Sequence, residues 1–267
     1  MRVSILAAAA AVVAMQSPAM AQGGVNLHVN NRWHECSFQI DPSLTQAAWR
    51  QFAGEAGMVV YFRPLADARP MGRGRFEVSL LQWETGIDDT DAAWNDTFVH
   101  PDSAHWLFKG DALKFPGLMV RAGVTDKVDG ALYLMKAPGA NYGFVGGQAQ
   151  YTFARGTTTD WAASTRWSFT SMYGPDDLDF SVYGADVLVS RTFALLSKRA
   201  FVSPYAVLSA SLSRAHEKTT AVDLDDENVP GAHATVGASA QIGAARLGVD
   251  YSFASVNSLS FKIGFGR

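Results

Sequence analysis

The sequence predicts an all-β chain: an antiparallel transmembrane β-barrel of about ten strands (roughly eight to twelve), preceded by a short helix-containing segment. Three observations predict it: period-two alternation of apolar and polar residues, strands longer than those of soluble sheets, and connections that alternate between long and short. The clearest alternation lies at 161–170, where Trp161, Ala163, Thr165, Trp167 and Phe169 share one face. Ala162, Ser164, Arg166, Ser168 and Thr170 share the other. Strict alternation sets one face against an apolar phase and the opposite face against a polar one.

In chain order, the first 21 residues read as a signal peptide. Arg2 supplies the positive region, Ile5 to Met15 the apolar run, and Ala19-Met20-Ala21 the small-x-small cleavage site before Gln22. Residues 22–72 form an N-terminal periplasmic or plug segment of mixed character. Asp41-Pro42 is a helix start, with an N-cap acid before a first-turn proline. Leu44, Ala48 and Phe52 come next at a spacing of four and mark one helical face, which Gly57 ends. Met58 to Phe62 is strand-like, and Pro64 and Pro70 interrupt the chain between it and the barrel.

Residues 73–267 are the barrel. Its strands are expected at 73–84, 115–126, 128–137, 142–153, 160–171, 179–191, 201–213, 232–244, 245–254 and 258–267. Most exceed the ~5–6 residues usual in soluble sheets and match the ~9–11 that a tilted strand needs to cross a bilayer. No apolar run after the signal approaches the ~18 residues of a membrane helix, so any crossing is made by strands. The longest gaps, 85–114 and 214–231, come after odd strands, and mostly short turns come after even ones. Long outside loops and short periplasmic turns have that order. Acids agree with it: Asp88, Asp89 and Asp91, then Asp176, Asp177 and Asp179, then Asp223, Asp225, Asp226 and Glu227 fall at the loop rim. Lys127, Arg155, Lys198, Arg199 and Arg267 fall at the other rim, while Lys109, Lys136 and Lys218 break the split.

Composition narrows the function. The 267 residues are 48% hydrophobic and 18% charged, with a formal net charge of −3. That is too apolar for disorder, and no basic excess exists to hold a phosphate backbone, so nucleic acid is not an expected partner. The single cysteine, Cys36, cannot close an intramolecular disulfide.

With its signal peptide, its alternating strands and an apolar, aromatic last strand (Leu259, Phe261, Ile263, Phe265), the chain resembles the small outer-membrane β-barrel proteins of Gram-negative bacteria. Members of that class commonly end in an aromatic residue read by the barrel-insertion machinery; this chain ends Phe265-Gly266-Arg267. Ala137-Pro138-Gly139-Ala140-Asn141-Tyr142, then Gly146-Gly147, is similar to a hairpin of uncharacterised barrels of this kind. Residues 37–65 resemble the short helix-strand signalling domain that precedes some outer-membrane receptors. The resemblance implies an outer-membrane address and contact with outer-membrane lipid and insertion machinery. It brings no catalytic motif.

Strand phase sets the candidate sites. Glu77, Arg121, Gln148, Gln150, Arg166, Asp186, Arg246, Asp250 and Lys262 are expected to line the lumen. Trp161, Trp167, Phe169, Tyr251, Phe253, Phe261 and Phe265 are expected to face lipid. The lumen charges either pair and fill the interior or line a path for ions and small solutes. A narrow barrel favours the first. Asp223, Asp225 and Glu227 are a weak divalent-cation candidate, lacking the pattern of a calcium loop. His28, His34 and Cys36 match no common zinc spacing. His100 and His105 share a loop with Asp88, Asp89, Asp91, Trp94 and Trp106, expected to be a polar rim with interfacial tryptophans. The expected role is non-enzymatic, either passive passage of small solutes or a surface scaffold, with no cofactor. The rivals are a surface hydrolase around Asp89, His100 and His105, and a soluble periplasmic ligand-binding barrel.

Overall fold

The computed structural model describes residues 37–99, 108–109, 112–136, 140–156, 160–195 and 200–267. Ten long antiparallel strands close into one barrel. In chain order they are β1 (Phe76–Gly86), β2 (Ala112–Gly123), β3 (Val128–Lys136), β4 (Gly143–Arg155), β5 (Trp161–Tyr173), β6 (Leu178–Arg191), β7 (Ala200–Glu217), β8 (Glu227–Ile242), β9 (Ala245–Phe253) and β10 (Ser258–Gly266). Each pairs with the next, and β10 pairs with β1 from Ser258↔Thr85 to Gly266↔Glu77. Two-residue strands, Phe108–Lys109 and Phe193–Ala194, extend the sheet beside β2 and β7. The expected strand positions therefore hold, with ends shifted by a few residues. The signal peptide, His28, His34, Cys36, His100, His105, Trp106, Lys198 and Arg199 lie outside the described residues.

Alternation builds the wall with inverted polarity. Large apolar side chains point outward on every strand; Trp167 is 53% exposed, Leu132 70% and Phe265 68%. A protein surrounded by water rarely exposes so large a continuous apolar surface. A belt of this kind around a closed sheet, with charged and hydroxyl side chains turned inward, is the polarity of a membrane-spanning barrel. Full pairing also leaves no open sheet edge, as hydrocarbon surroundings require.

The short connections, residues 124–127 and 243–244, mark the turn end of the barrel, and the opposite end is the loop end. Residues 37–71 occupy the lumen. Helix α1 (Gln46–Val59) is capped by the Thr45 side chain, which accepts from the Ala48 amide. The cap thus sits four residues beyond Asp41, because Asp41 is used by a turn: its carboxylate accepts from the Ser43 amide and hydroxyl. α1 packs against β7 and β8, whose 18 and 16 residues make the tallest part of the wall. Gln46 donates to Glu227, and Arg50 pairs with Glu227 at 2.8 Å. A short helix α2 (Ala92–Asn95), capped by Asp91, closes over α1.

The described segment begins at the loop end, where the Phe38 amide donates to Asn141 and the Ile40 amide to Asp177. It then descends the whole lumen and reaches β1 at the turn end, where the Met71 amide donates to Asp129. The reason is apolar. The α1 residues Trp49, Phe52, Ala56 and Met58 share one core with inward Trp83, Phe115, Tyr133, Met135 and Phe144 of β1 to β4. The loop-end half of the lumen is thus a protein core and not a polar channel. Trp94 belongs to that core at 1% exposure and donates to Glu55, so it is not an interfacial tryptophan.

Candidate functional site

The lumen below α1 is where the charged residues gather. Strand period two brings Arg166 of β5 directly opposite Asp186 of β6, and the guanidinium Nε donates to the carboxylate at 2.9 Å. The other Asp186 oxygen accepts from the Tyr61 hydroxyl of the plug at 2.7 Å. Nearer the turn end, Arg121 of β2 pairs with Asp129 of β3, and Lys262 of β10 pairs with Glu77 of β1 at 2.8 Å. All six of these charged side chains are buried. Gln148, Gln150 and Asp250 are buried beside them, Asp250 accepting from Tyr205 at 3.0 Å. Arg246 is half-buried at the turn-end mouth, donating to the carbonyls of Gly243 and Ala245.

The plug backbone is stitched to the wall along the same column. Trp83 donates to the Val59 carbonyl at 2.8 Å, Gln150 to that of Asp67 at 3.2 Å and Thr152 to that of Ala68 at 2.8 Å. Ser190 accepts from the Ala68 amide, and Ser239 donates to the Asp67 carboxylate. Wall glycines make the room. A Cβ at Gly248 would lie 2.9 Å from Leu65, and one at Gly184 would lie 2.4 Å from the Tyr61 hydroxyl. Gly184→Val is expected to push Tyr61 off Asp186 and to lower stability by about 1–3 kcal/mol. Urea unfolding in lipid vesicles, monitored by tryptophan fluorescence, measures this. An unchanged midpoint would mean that the plug does not press on β6.

Arg63 is the residue that strand phase could not find. It sits in the plug, buried, with its guanidinium donating to the Met58 and Tyr61 carbonyls and lying 5.8 Å over the Trp83 ring. It locks the turn after α1, where Pro64 and Leu65 redirect the chain; Leu65 is buried at a φ of 46°. A positive φ in a branched residue is held only by packing.

Among the side chains expected to meet lipid, Trp161, Trp167, Phe169, Tyr251, Phe253, Phe261 and Phe265 all project from the outer wall. At the loop rim, Asp88 holds a turn. Hydrogen bonds from the Thr90 hydroxyl and amide keep its carboxyl below the usual range. Asp91 caps α2 and accepts from Gln51. Glu227 turns inward to Arg50 and Gln46, and among the described residues no three acids, histidines or cysteines converge to hold a metal. An exposed pair, His216 and Asp226 at 2.6 Å, stands on the loop-end rim. No serine hydroxyl bonds to that ring among the described residues.

No family model matches the sequence, and no curated protein matches it. Several solved structures superpose. The β domain of the Bordetella autotransporter BrkA aligns at 12% identity over 72% of this chain and 98% of its own, with a TM-score of 0.42. The N-terminal β-barrel domain of Pseudomonas aeruginosa OprF aligns at 11% identity over 74% and 100%, with a TM-score of 0.30. LpxR from Salmonella typhimurium aligns at 12% identity over 72% and 99%, with a TM-score of 0.35. Nothing about the activity of those proteins passes to this chain at such distances.

Proposed function

We propose that the protein is a plugged, non-conducting outer-membrane barrel that acts as a surface scaffold, with its loop end outward and its turn end in the periplasm. One observation carries this reading: residues 37–71 run the length of the lumen, bonded to the wall at Asp186, Ser190, Gln150 and Asp129, and leave open only a vestibule at the turn end. A solute path needs a continuous water-lined space with charges facing it. Here the central charges are buried and matched: Arg166 with Asp186, Arg121 with Asp129, Lys262 with Glu77. The long connections, the tall β6–β8 wall and α2 gather at the opposite end from the chain's last residue, and that end offers the surface for contact. Acids at Asp176, Asp177, Asp223 and Asp225 suit an outward rim, and Lys127 and Arg155 a periplasmic one.

The intact protein in a planar lipid bilayer is expected to show no stepwise conductance at moderate voltage. Regular steps that persist in the folded, heat-modifiable form would favour solute passage over the scaffold.

A further inference from the structure

At the turn end the plug leaves a cavity of about 290 Å³ between itself and the wall. Its lining is strongly basic. Arg69, Arg75, Arg121, Arg155, Arg246 and Lys262 contribute to it, against Asp67 and Glu77. Three of the cations have acidic partners: Arg121 with Asp129, Lys262 with Glu77, and Arg69 with Asp160 at 2.9 Å. Asp67 is satisfied by neutral donors, the Ser239 hydroxyl and the Arg69 amide. Arg75, Arg155 and Arg246 make no ion pair among the described residues. Three guanidiniums without an ion pair therefore line one cavity, Arg75 and Arg155 exposed and Arg246 half-buried, against the single carboxylate of Asp67. In addition, the Nε atoms of Arg69 and Arg121 are buried without a hydrogen-bond partner.

A buried cationic donor left without a partner is costly, as at the Arg69 and Arg121 Nε atoms, and one anion in this space would offer acceptors to them and to the more open guanidiniums at its mouth. Arginine presents planar forks of N–H groups that fit phosphate and carboxylate oxygens in pairs. A single carboxylate has two oxygens and one charge. A phosphate monoester or diester has more acceptor oxygens, and a monoester can carry a second charge. The volume equals roughly ten water molecules at about 30 Å³ each, enough for a phosphate with a small polar substituent.

We propose that this turn-end vestibule is a binding site for a phosphate-bearing anion, held by Arg75 and Arg246 with Arg155, Arg69 and Arg121 around it. The phosphate comes either from a soluble ester or from a lipid headgroup of the adjoining leaflet. The site adjoins the lowest plug contacts, sharing Asp67, Ser239, Arg121, Lys262 and Glu77 with them, and is independent of whether the barrel conducts.

The test uses the full chain folded in a phosphate-free detergent at fixed salt. Calorimetric titration with glycerol 3-phosphate probes the soluble source. Doping the micelle with short-chain phosphatidylglycerol, read by ³¹P line broadening, probes the lipid source. Saturable uptake of either probe is expected, the arm that responds identifying the source. The double variant Arg75→Gln with Arg246→Gln is expected to weaken it roughly tenfold or more. Lys127→Gln, at the same end but outside the cavity, is expected to leave it unchanged. Heat-modifiable gel mobility establishes that each variant is folded. The proposal is overturned if neither probe is taken up, if acetate matches the phosphate ester, or if the double variant and Lys127→Gln behave alike.

Discussion

A chain lacking residues 37–71 conducts in a planar bilayer where the intact protein is silent: this is the expected result with the largest effect. The wall of ten strands is closed by backbone hydrogen bonds alone, β10 pairing β1 over the whole of Ser258–Gly266, so it survives removal of its contents. On the proposed reading, the contents are what exclude ions. Without them the lumen keeps a polar lower half, with Arg121 and Asp129, Glu77 and Lys262, and Arg166 and Asp186 facing new water. Its upper half loses its apolar partner and exposes Trp83, Phe115, Tyr133 and Phe144. Current is expected to rise by roughly tenfold or more over the leak of the intact protein, in discrete steps. A heat-modifiable gel shift shows whether the truncated barrel is closed. A closed, silent truncated barrel would mean that the wall collapses inward and that the plug is not the seal.

The second large effect is on stability. Arg166→Met is expected to destabilise the protein by about 3–5 kcal/mol, because it leaves the Asp186 carboxylate buried with only the Tyr61 hydroxyl to bind it. The compensated variant, Arg166→Met with Asp186→Leu, is expected to recover most of that loss. Tyr61 then remains without its acceptor, at about 1–3 kcal/mol. Urea unfolding in vesicles across the full double-mutant cycle separates the pair from its members. Equal losses for the single and compensated variants would assign the effect to packing, with no part for charge.

The strand column of this fold is legible because its signal is local. Trp161 to Thr170 and Leu259 to Gly266 each state in ten residues or so which side chains share a face, and two faces in two media leave no other register. The same phase points Arg166, Asp186 and Lys262 inward. It names the face and not its contents. Gly184 and Gly248 lie on the inward face, and only the path of the plug explains why a Cβ is forbidden there. The run Leu132-Tyr133-Leu134-Met135 is apolar on both faces. That signals a strand buried on both sides, here by lipid outside and α1's core inside. Trp94 and Arg63 were beyond reach for a different reason. Each takes its environment from residues distant in sequence, Trp94 from Glu55 and Arg63 from Trp83, and loop sequence carries no period to encode that. Asp88 and Asp91, acidic neighbours of a histidine-bearing loop, prove to be turn and cap residues, a role set within two positions along the chain.

The plug lies inside a closed ring and precedes its first strand, which constrains the order of assembly. Phe76–Gly86 must find Ser258–Gly266 across the longest sequence separation among the strand pairings, the step with the greatest chain-closure penalty. Once that seam zips, residues 37–71 can enter only by threading end-on, with a helix and the buried Arg63 in the leading part. Nucleating the wall around α1 while the seam is still open avoids that obstacle, since β7 and β8 already hold the helix through Glu227 and through the close approach of Ser213 to Gly57. The topology thus favours an order in which the N-terminal segment is the mandrel on which the cylinder is rolled, with the seam that would trap it closing last.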